Sequence, residues 1–389
     1  MSRSGTWLLA AVCAVVIANN YYNQPLLVDF AGTFHVTERE AGGASIMTQG
    51  GYALGMLVLL PLGDMIDRRL LINALLLGSA GALVATALAP TMQWLLVAGF
   101  AVGFTSVVPQ IIVPFAAHLA LPAERGRVVG IVMGGLLAGI LLSRSIAGAI
   151  GTRLGWPAMY WIAGGMMVFL IPVLSLLLPK DNPAFDGSYS GLMKSLWGLV
   201  RDQPVLRETS LTAALQFAAF SAFWTTLAFH LNSMPEHYGS DVAGLFGLIG
   251  IAGVAAAPLA GKLADHRSPR LTVLLSSLVV LAAFMVLATA GYSLAGVAAG
   301  VVLLDLGMQS GHVSNMTRNY SLKAEAMSRL NTVYMVTRFV GGALGSAAGN
   351  YAWSLYQWPG VCAVGLLLAL LTIAALFMPR APSPEGVLP

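Results

Sequence analysis

The chain has 389 residues, 57% of them hydrophobic and only 9% charged, with a mean hydropathy of +0.79. Soluble domains carry about 25% charged residues, so there is too little polar surface here to face water, and lipid must solvate the apolar surplus. The formal charge of +4 is modest and calls for no nucleic-acid partner.

A membrane-crossing helix takes roughly 20 mostly apolar residues. In chain order such stretches fall at 6–30, 42–62, 70–89, 93–117, 127–150 and 156–178, then at 208–232, 242–262, 271–290, 294–317, 328–351 and 358–378. The runs are continuously apolar and do not alternate, which predicts helices and excludes barrel strands. The first run could be confused with a leader peptide. Arg3 is the one charge preceding it, and it continues into Asn19-Asn20-Tyr21-Tyr22-Asn23-Gln24 without a small-residue cleavage site, so it reads as the first span. The polar interval 180–207 separates six spans from six. Within it Leu192, Leu196, Trp197, Leu199 and Val200 give an amphipathic stretch suited to the membrane surface. The expected organisation is an all-α polytopic membrane protein: an N-terminal six-helix bundle over 1–180, a cytoplasmic linker over 181–206, and a C-terminal six-helix bundle over 207–389.

Basic residues give the orientation. Arg144 and Arg338 lie inside spans, and Arg39 and Arg153 fall in odd-numbered loops. Every other Lys and Arg sits at a terminus or in an even-numbered loop, so both termini are expected to be cytoplasmic. Cys13 and Cys362 each fall within a span at opposite ends of the chain and read as small apolar packing residues.

The two halves resemble each other. Leu62-Gly63-Asp64 corresponds to Leu263-Ala264-Asp265 at an offset of 201, while Arg127 and Arg329, Gly139 and Gly341, and Trp156-Pro157 and Trp358-Pro359 correspond at 202. Parallel six-span repeats are how one large transporter class builds a central cavity. On these residues the chain resembles the major facilitator superfamily, whose signature between spans two and three reads roughly Gly-x-Leu-Ala-Asp-Arg-x-Gly-Arg-Lys. The second half keeps it as Gly261-Lys262-Leu263-Ala264-Asp265-His266-Arg267; the first half keeps Leu62, Asp64 and the basic pair Arg68-Arg69, with Leu60 and Asp67 in place of two glycines. The resemblance implies twelve helices in two pseudo-symmetric bundles and a secondary transporter similar to bacterial exporters. It also implies a conformational latch in which Asp64 works with Arg68 or Arg69, and Asp265 with Arg267 or Arg270. Ordinary positive-inside charge explains the same arginines without a latch. Ser143-Arg144-Ser145-Ile146-Ala147-Gly148 stands where many exporters of the superfamily carry Gly-Pro-x-x-Gly-Gly, a departure that argues against automatic assignment to drug–proton antiport.

Charges inside a bilayer are functional candidates, since each costs roughly 2.5–3.5 kcal/mol on insertion scales. Asp305 is the acidic residue well inside a span, and Gln309 and His312 follow it on one helical face. This carboxyl is the candidate for binding and releasing a driving proton, with His312 as a relay; a structural ion pair with Arg338 or Arg144 is the alternative. Arg144 and Arg338 do not superimpose at the repeat offset, so they are not twin copies of one site. Either could clamp a carboxylate or phosphate or balance Asp305, and Arg338 shares a face with Asn331 and Tyr334. Asn19, Tyr22 and Asn23, with Pro25 bending the helix nearby, could meet cargo or bond neighbouring helices. Gln216, Phe220, Phe223 and Trp224 could form an aromatic wall or simple packing; Gln110 is deep enough to meet cargo, and His118 lies nearer the cytoplasmic end.

The sequence lacks His-Glu-x-x-His, Gly-x-Ser-x-Gly, a Walker lysine loop and clustered cysteines, so an enzyme is not expected, nor a metal or cofactor. The reading is a monomeric, multi-pass secondary transporter of a bacterial inner membrane, exporting a small organic molecule against protons. Uptake or exchange of a small organic anion through the intramembrane arginines is the alternative.

Overall fold

The computed structural model describes residues 3–121, 124–180, 187–265, 269–322 and 327–378, without the side chains of 254–265 and 328. The described residues are helical almost throughout, and no strand occurs among them.

The first span is a broken helix. α1 (Arg3–Ala18) gives way to turns over 19–23, a 3₁₀ turn Gln24–Leu26 and then α2 (Leu27–Phe34). Pro25 at the start of the 3₁₀ turn lacks the N–H that a continuous helix would use. α3 (Glu38–Leu59) opens on a capping box: Thr37 Oγ1 accepts from the Glu40 backbone N–H, and the Glu40 carboxylate accepts from the Thr37 N–H at 2.9 Å. A 3₁₀ turn Pro61–Asp64 ends this span. α4 (Arg68–Ala87) is capped by Asp67, which accepts from the Arg69 N–H at 2.8 Å. The fourth span is again two pieces, α5 (Met92–Thr105) and α6 (Val108–Leu119), parted at Ser106 and Val107 just before Pro109. α7 (Arg125–Leu154) and α8 (Trp156–Leu177) complete the first half.

α9 (Tyr189–Asp202), capped by Ser188, occupies the interval between the halves. Its apolar side is buried at Leu192 and Leu196, while Trp197 on the other side is exposed. The second half is α10 (Pro204–Ser233), α11 (Ser240–Asp265), α12 (Pro269–Ala290), α13 (Leu294–Tyr320) and α14 (Met327–Phe377), which a non-helical Gln357 breaks into two spans. With that break the helices supply six crossings in each half.

Two compact units emerge from the internal packing. One comprises Met1–Asp186 with Leu227–Leu248, the other Gly187–Thr226 with Ile249–Pro389. In the first, α7 lies against α1 so closely that a Cβ on Gly139 would overlap the Ala14 carbonyl. In the second, Gly341 of α14 meets Ala214 of α10 in the same way. These glycines stand at the repeat offset, so the sequence repeat is also a repeat of helix contacts. Small residues let backbones approach where lipid supplies no hydrophobic drive between helices.

The Trp-Pro repeat has a backbone counterpart. Gly155 (φ 81, ψ 152) precedes Trp156-Pro157, and Gln357 (φ 51, ψ −144) precedes Trp358-Pro359. Both residues turn one span into the next in a region that glycine enters freely and other residues enter at a cost. The tryptophans after them are buried and anchored, Trp156 Nε1 donating to Thr33 Oγ1 and Trp358 Nε1 to the Leu287 carbonyl, each at 3.0 Å. Large apolar side chains such as Val97, Phe169, Leu176 and Phe377 are exposed. In a chain this apolar they are the lipid-facing surface.

Candidate functional site

In the first unit the break after α1 turns four amides inward, Asn19, Asn20, Asn23 and Gln24. Asn19 Nδ2 donates to Ser106 Oγ at 3.3 Å and lies 3.5 Å from Met167 Sδ. Asn23 Nδ2 donates to Thr48 Oγ1 at 3.1 Å, and its Oδ1 accepts from Ser45 Oγ at 2.7 Å. Tyr22 is buried beside them, and Gln110 Nε2 donates to Tyr52 Oη at 3.3 Å. Asn19 and Asn23 therefore tie the first span to the second, fourth and sixth, the interhelical bonding that was one of the two sequence readings. Arg144 is buried. Its Nε donates to Gln24 Oε1 at 2.6 Å, its Nη1 to the Ile140 carbonyl at 3.2 Å, and its guanidinium lies 5.0 Å from the Tyr21 ring centre. Gln24 as its acceptor was not anticipated, because a side chain 120 positions away becomes a neighbour only once α1 and α7 pack.

In the second unit, Asp305 is 3% exposed, and α11 crosses α13 so tightly there that a Cβ on Gly253 would press on the Asp305 Cβ. One turn on, Arg338 of α14 donates through Nη2 to Met308 Sδ at 3.2 Å. The same guanidinium lies over the Phe217 ring at 4.1 Å and near Phe339 at 5.7 Å. Two turns from Asp305, His312 Nδ1 and Tyr334 Oη are 2.8 Å apart, with their rings stacked at 5.6 Å. Gln309 is half-buried. The aromatic run on α10 packs into this unit: Trp224 meets Phe220 and Phe223 at 5.9 and 5.4 Å, and Phe223 meets Trp358 at 6.0 Å. Gln216 Nε2 lies 3.1 Å from both Ser276 Oγ and Ser277 Oγ. Asp305, His312, Tyr334 and Arg338 thus share the neighbourhood of α13, α14 and α10.

The charges at the helix ends divide. Asp64 and Arg68 form an ion pair at 3.2 Å, and Arg68 Nε also donates to the Gly63 carbonyl. Arg69 instead donates to the Leu178 carbonyl at 3.3 Å. Arg270 donates likewise to the Leu376 carbonyl and pairs with Glu208 at 3.4 Å. Residues at the starts of spans three and nine therefore hold the carbonyl ends of spans six and twelve, where a cation complements the helix dipole. Arg267 and the Asp265 side chain lie outside the described residues. Sequence reasoning missed Glu208 and Arg318, paired at 2.8 Å and each 9% exposed. Arg318 had read as an ordinary loop charge and Glu208 as the first residue of a span, and nothing local marks two such residues as partners.

Buried polar and charged side chains in both halves of a twelve-span helical chain define a membrane transport protein rather than a passive anchor. The sequence profile of the Major Facilitator Superfamily matches residues 9–346, and the chain belongs to that family. It is 37% identical over 366 residues to the uncharacterized transporter YgaY of Escherichia coli, covering 94% of this chain and 93% of that one. It is 34% identical over 361 residues to the Streptomyces coelicolor transporter SCO4007, covering 92% and 83%. Among solved structures, a bacterial homolog of the human lysosomal transporter Spinster, inward-facing and unoccupied, matches with a TM-score of 0.70 at 15% identity over 97% of this chain and 95% of that one. The nucleoside transporter NupG matches with a TM-score of 0.74 at 11% identity over 96% and 100%. At such identities the structures share the fold.

Proposed function

We propose that this transporter exports a small organic molecule in exchange for protons by alternating access, with Asp305 as the group that takes up and gives up the proton. The observation that carries the reading is the near-complete burial of Asp305 on the face of α13 that also bears His312, with Arg338 and Tyr334 packed against that face. A carboxyl kept from water and placed among polar groups is poised to change protonation as its surroundings change. His312, hydrogen-bonded to Tyr334, is the relay. Candidate cargo contacts are Asn19, Tyr22, Asn23, Gln110 and Arg144 in one half and Trp224, Gln309, Tyr334 and Arg338 in the other. Asp64 with Arg68 and Arg69, and Asp265 with Arg267 and Arg270, are the proposed latch. The protein is proposed to act as a monomer in a bacterial inner membrane, divided at 1–180, 181–206 and 207–389, with both termini cytoplasmic.

A second reading, uptake or exchange of a small organic anion, draws on Arg338. A thioether is a weak acceptor for a guanidinium, so a carboxylate or phosphate replacing Met308 Sδ would form a stronger, charge-assisted bond.

Two experiments decide between them. In proteoliposomes the wild type should move its cargo uphill when a pH gradient is imposed, whereas Asp305→Asn should only equilibrate it; uphill movement by the mutant removes the coupling role. The cargo class comes from thermal stability of the purified protein against a ligand panel, because a ligand of the folded state stabilises it by mass action. Lipophilic or cationic compounds should stabilise wild type and Arg338→Ala alike if the export reading holds. Carboxylates or phosphates that stabilise only the wild type would favour the anion carrier.

A further inference from the structure

The polar face of α13 does not end at His312. Continuing by helical steps it bears Asn315 and Asn319, which are 0% and 1% exposed. Asn315 Nδ2 donates to Thr212 Oγ1 at 3.2 Å, and Thr209 Oγ1 meets Asn319 Oδ1 at 2.6 Å. Both threonines belong to α10, one and four residues after Glu208. Asp305, His312, Asn315 and Asn319 therefore form a continuous polar stripe ending beside the Glu208–Arg318 pair. At 1.5 Å per residue the stripe runs ~21 Å along α13, a large part of a hydrocarbon core about 30 Å thick.

Buried amides this deep need partners at both ends. Among the described residues, Asn315 Oδ1 and Asn319 Nδ2 have none. Turning the amides does not cure this. Each asparagine side chain bonds a single threonine hydroxyl, so one end of each amide stays unpaired in either orientation. Unpaired polar atoms spaced along one face are what bound water satisfies. Asp305 and His312 are seven residues apart, ~10 Å along the helix, too far for direct proton transfer. Any proton passing between them needs intervening water.

We infer that the α10–α13 face holds a column of bound water connecting Asp305 to the helix ends at Glu208, and that the column is the route by which protons reach Asp305. The inference rests on the proton-coupling role proposed for Asp305. Along the column each water accepts one proton and passes one on, so the net event is one proton moved from bulk solvent to an Asp305 carboxylate oxygen. Asn315, Asn319, Thr209 and Thr212 hold the waters and do not themselves ionise. The charged groups bordering the path are Arg338, beside Met308 between Asp305 and His312, and the cluster of Glu208, Arg318 and Arg270 at its end.

The test uses the full chain in lipid nanodiscs and water itself as the probe. X-ray radiolysis labels side chains next to bound water even when they are buried. Met308, His312 and Tyr334 should be labelled in the wild type, should fall to background in Asn315→Leu, and should recover in Asn315→Ser, which restores a polar anchor. Absence of label at all three in the wild type overturns the column. The second readout is the infrared carboxyl band that appears after a pH jump and is missing in Asp305→Asn. Asn315→Leu should slow its appearance by about tenfold, the equivalent of one lost hydrogen bond, and leave the final amplitude unchanged. An unchanged rate in a labelled protein overturns the route. Label without any Asp305-dependent band overturns the coupling role and leaves the water column standing, so the two failures are distinguishable.

Discussion

The two intramembrane arginines look equivalent as letters and differ as environments. Arg144 spends Nε on the Gln24 side chain and Nη1 on a carbonyl of its own helix, bonds that fix α1 to α7. Arg338 lies with its flat face on Phe217 and donates to the Met308 sulfur. Arg144→Ala should therefore lower stability by roughly 2–3 kcal/mol, since it leaves the Gln24 Oε1 without this charged donor. The loss should appear as a lower unfolding temperature without ligand. If the cargo is an anion, Arg338→Ala should change ligand response more than baseline stability; the reverse ranking would exchange the two roles. A second test at this scale concerns Gln357. Its positive φ is one that Gly155 adopts freely at the repeat-related corner. Gln357→Gly should raise stability by ~1 kcal/mol, strain relief of about 1–3 kcal/mol less the extra entropy glycine loses on folding. Gly155→Ala should lower stability, and thermal unfolding of both variants checks the pair.

Among elements, the decisive contacts are those where one backbone touches another. Gly139 on Ala14 and Gly341 on Ala214 join α7 to α1 and α14 to α10. A side chain at either glycine must push whole helices apart, because the atom it meets is a carbonyl oxygen. Gly139→Val and Gly341→Val should each destabilise by about 1–3 kcal/mol, the usual range for overpacking. Valine at Gly134, where a Cβ would meet nothing within 4 Å, should be close to neutral. Equal effects at Gly134 and Gly139 would mean that the close approach contributes little.

For the molecule as a whole, hydropathy and charge placement made the twelve crossings and the family legible, because a bilayer imposes span length and apolarity on every crossing. The repeat offset was legible too, as far as the Trp-Pro pairs at 156 and 358, while the shared positive φ of Gly155 and Gln357 just before them was not. Breaks inside spans were less so. Pro25 signalled the first, but the division of the fourth span at Ser106 and Val107 carries only Pro109 as a mark. Tertiary pairings were the least visible. Gln24 with Arg144 and Glu208 with Arg318 join residues more than a hundred positions apart, and no local pattern encodes such partners. The stripe from Asp305 to Asn319 is different: its helical spacing was present in the sequence, but Asn315 falls at the end of the expected span 294–317 and Asn319 beyond it, where an amide costs little.

Under the proposed function, Asp305 exchanges a proton as cargo binds. The most direct measurement is proton release or uptake in weakly buffered solution when the purified protein meets the first compound that raises its unfolding temperature, compared between wild type and Asp305→Asn. A proton change should accompany binding in the wild type and disappear in the mutant while the compound still binds. An identical change in both proteins, or none in either, would contradict it.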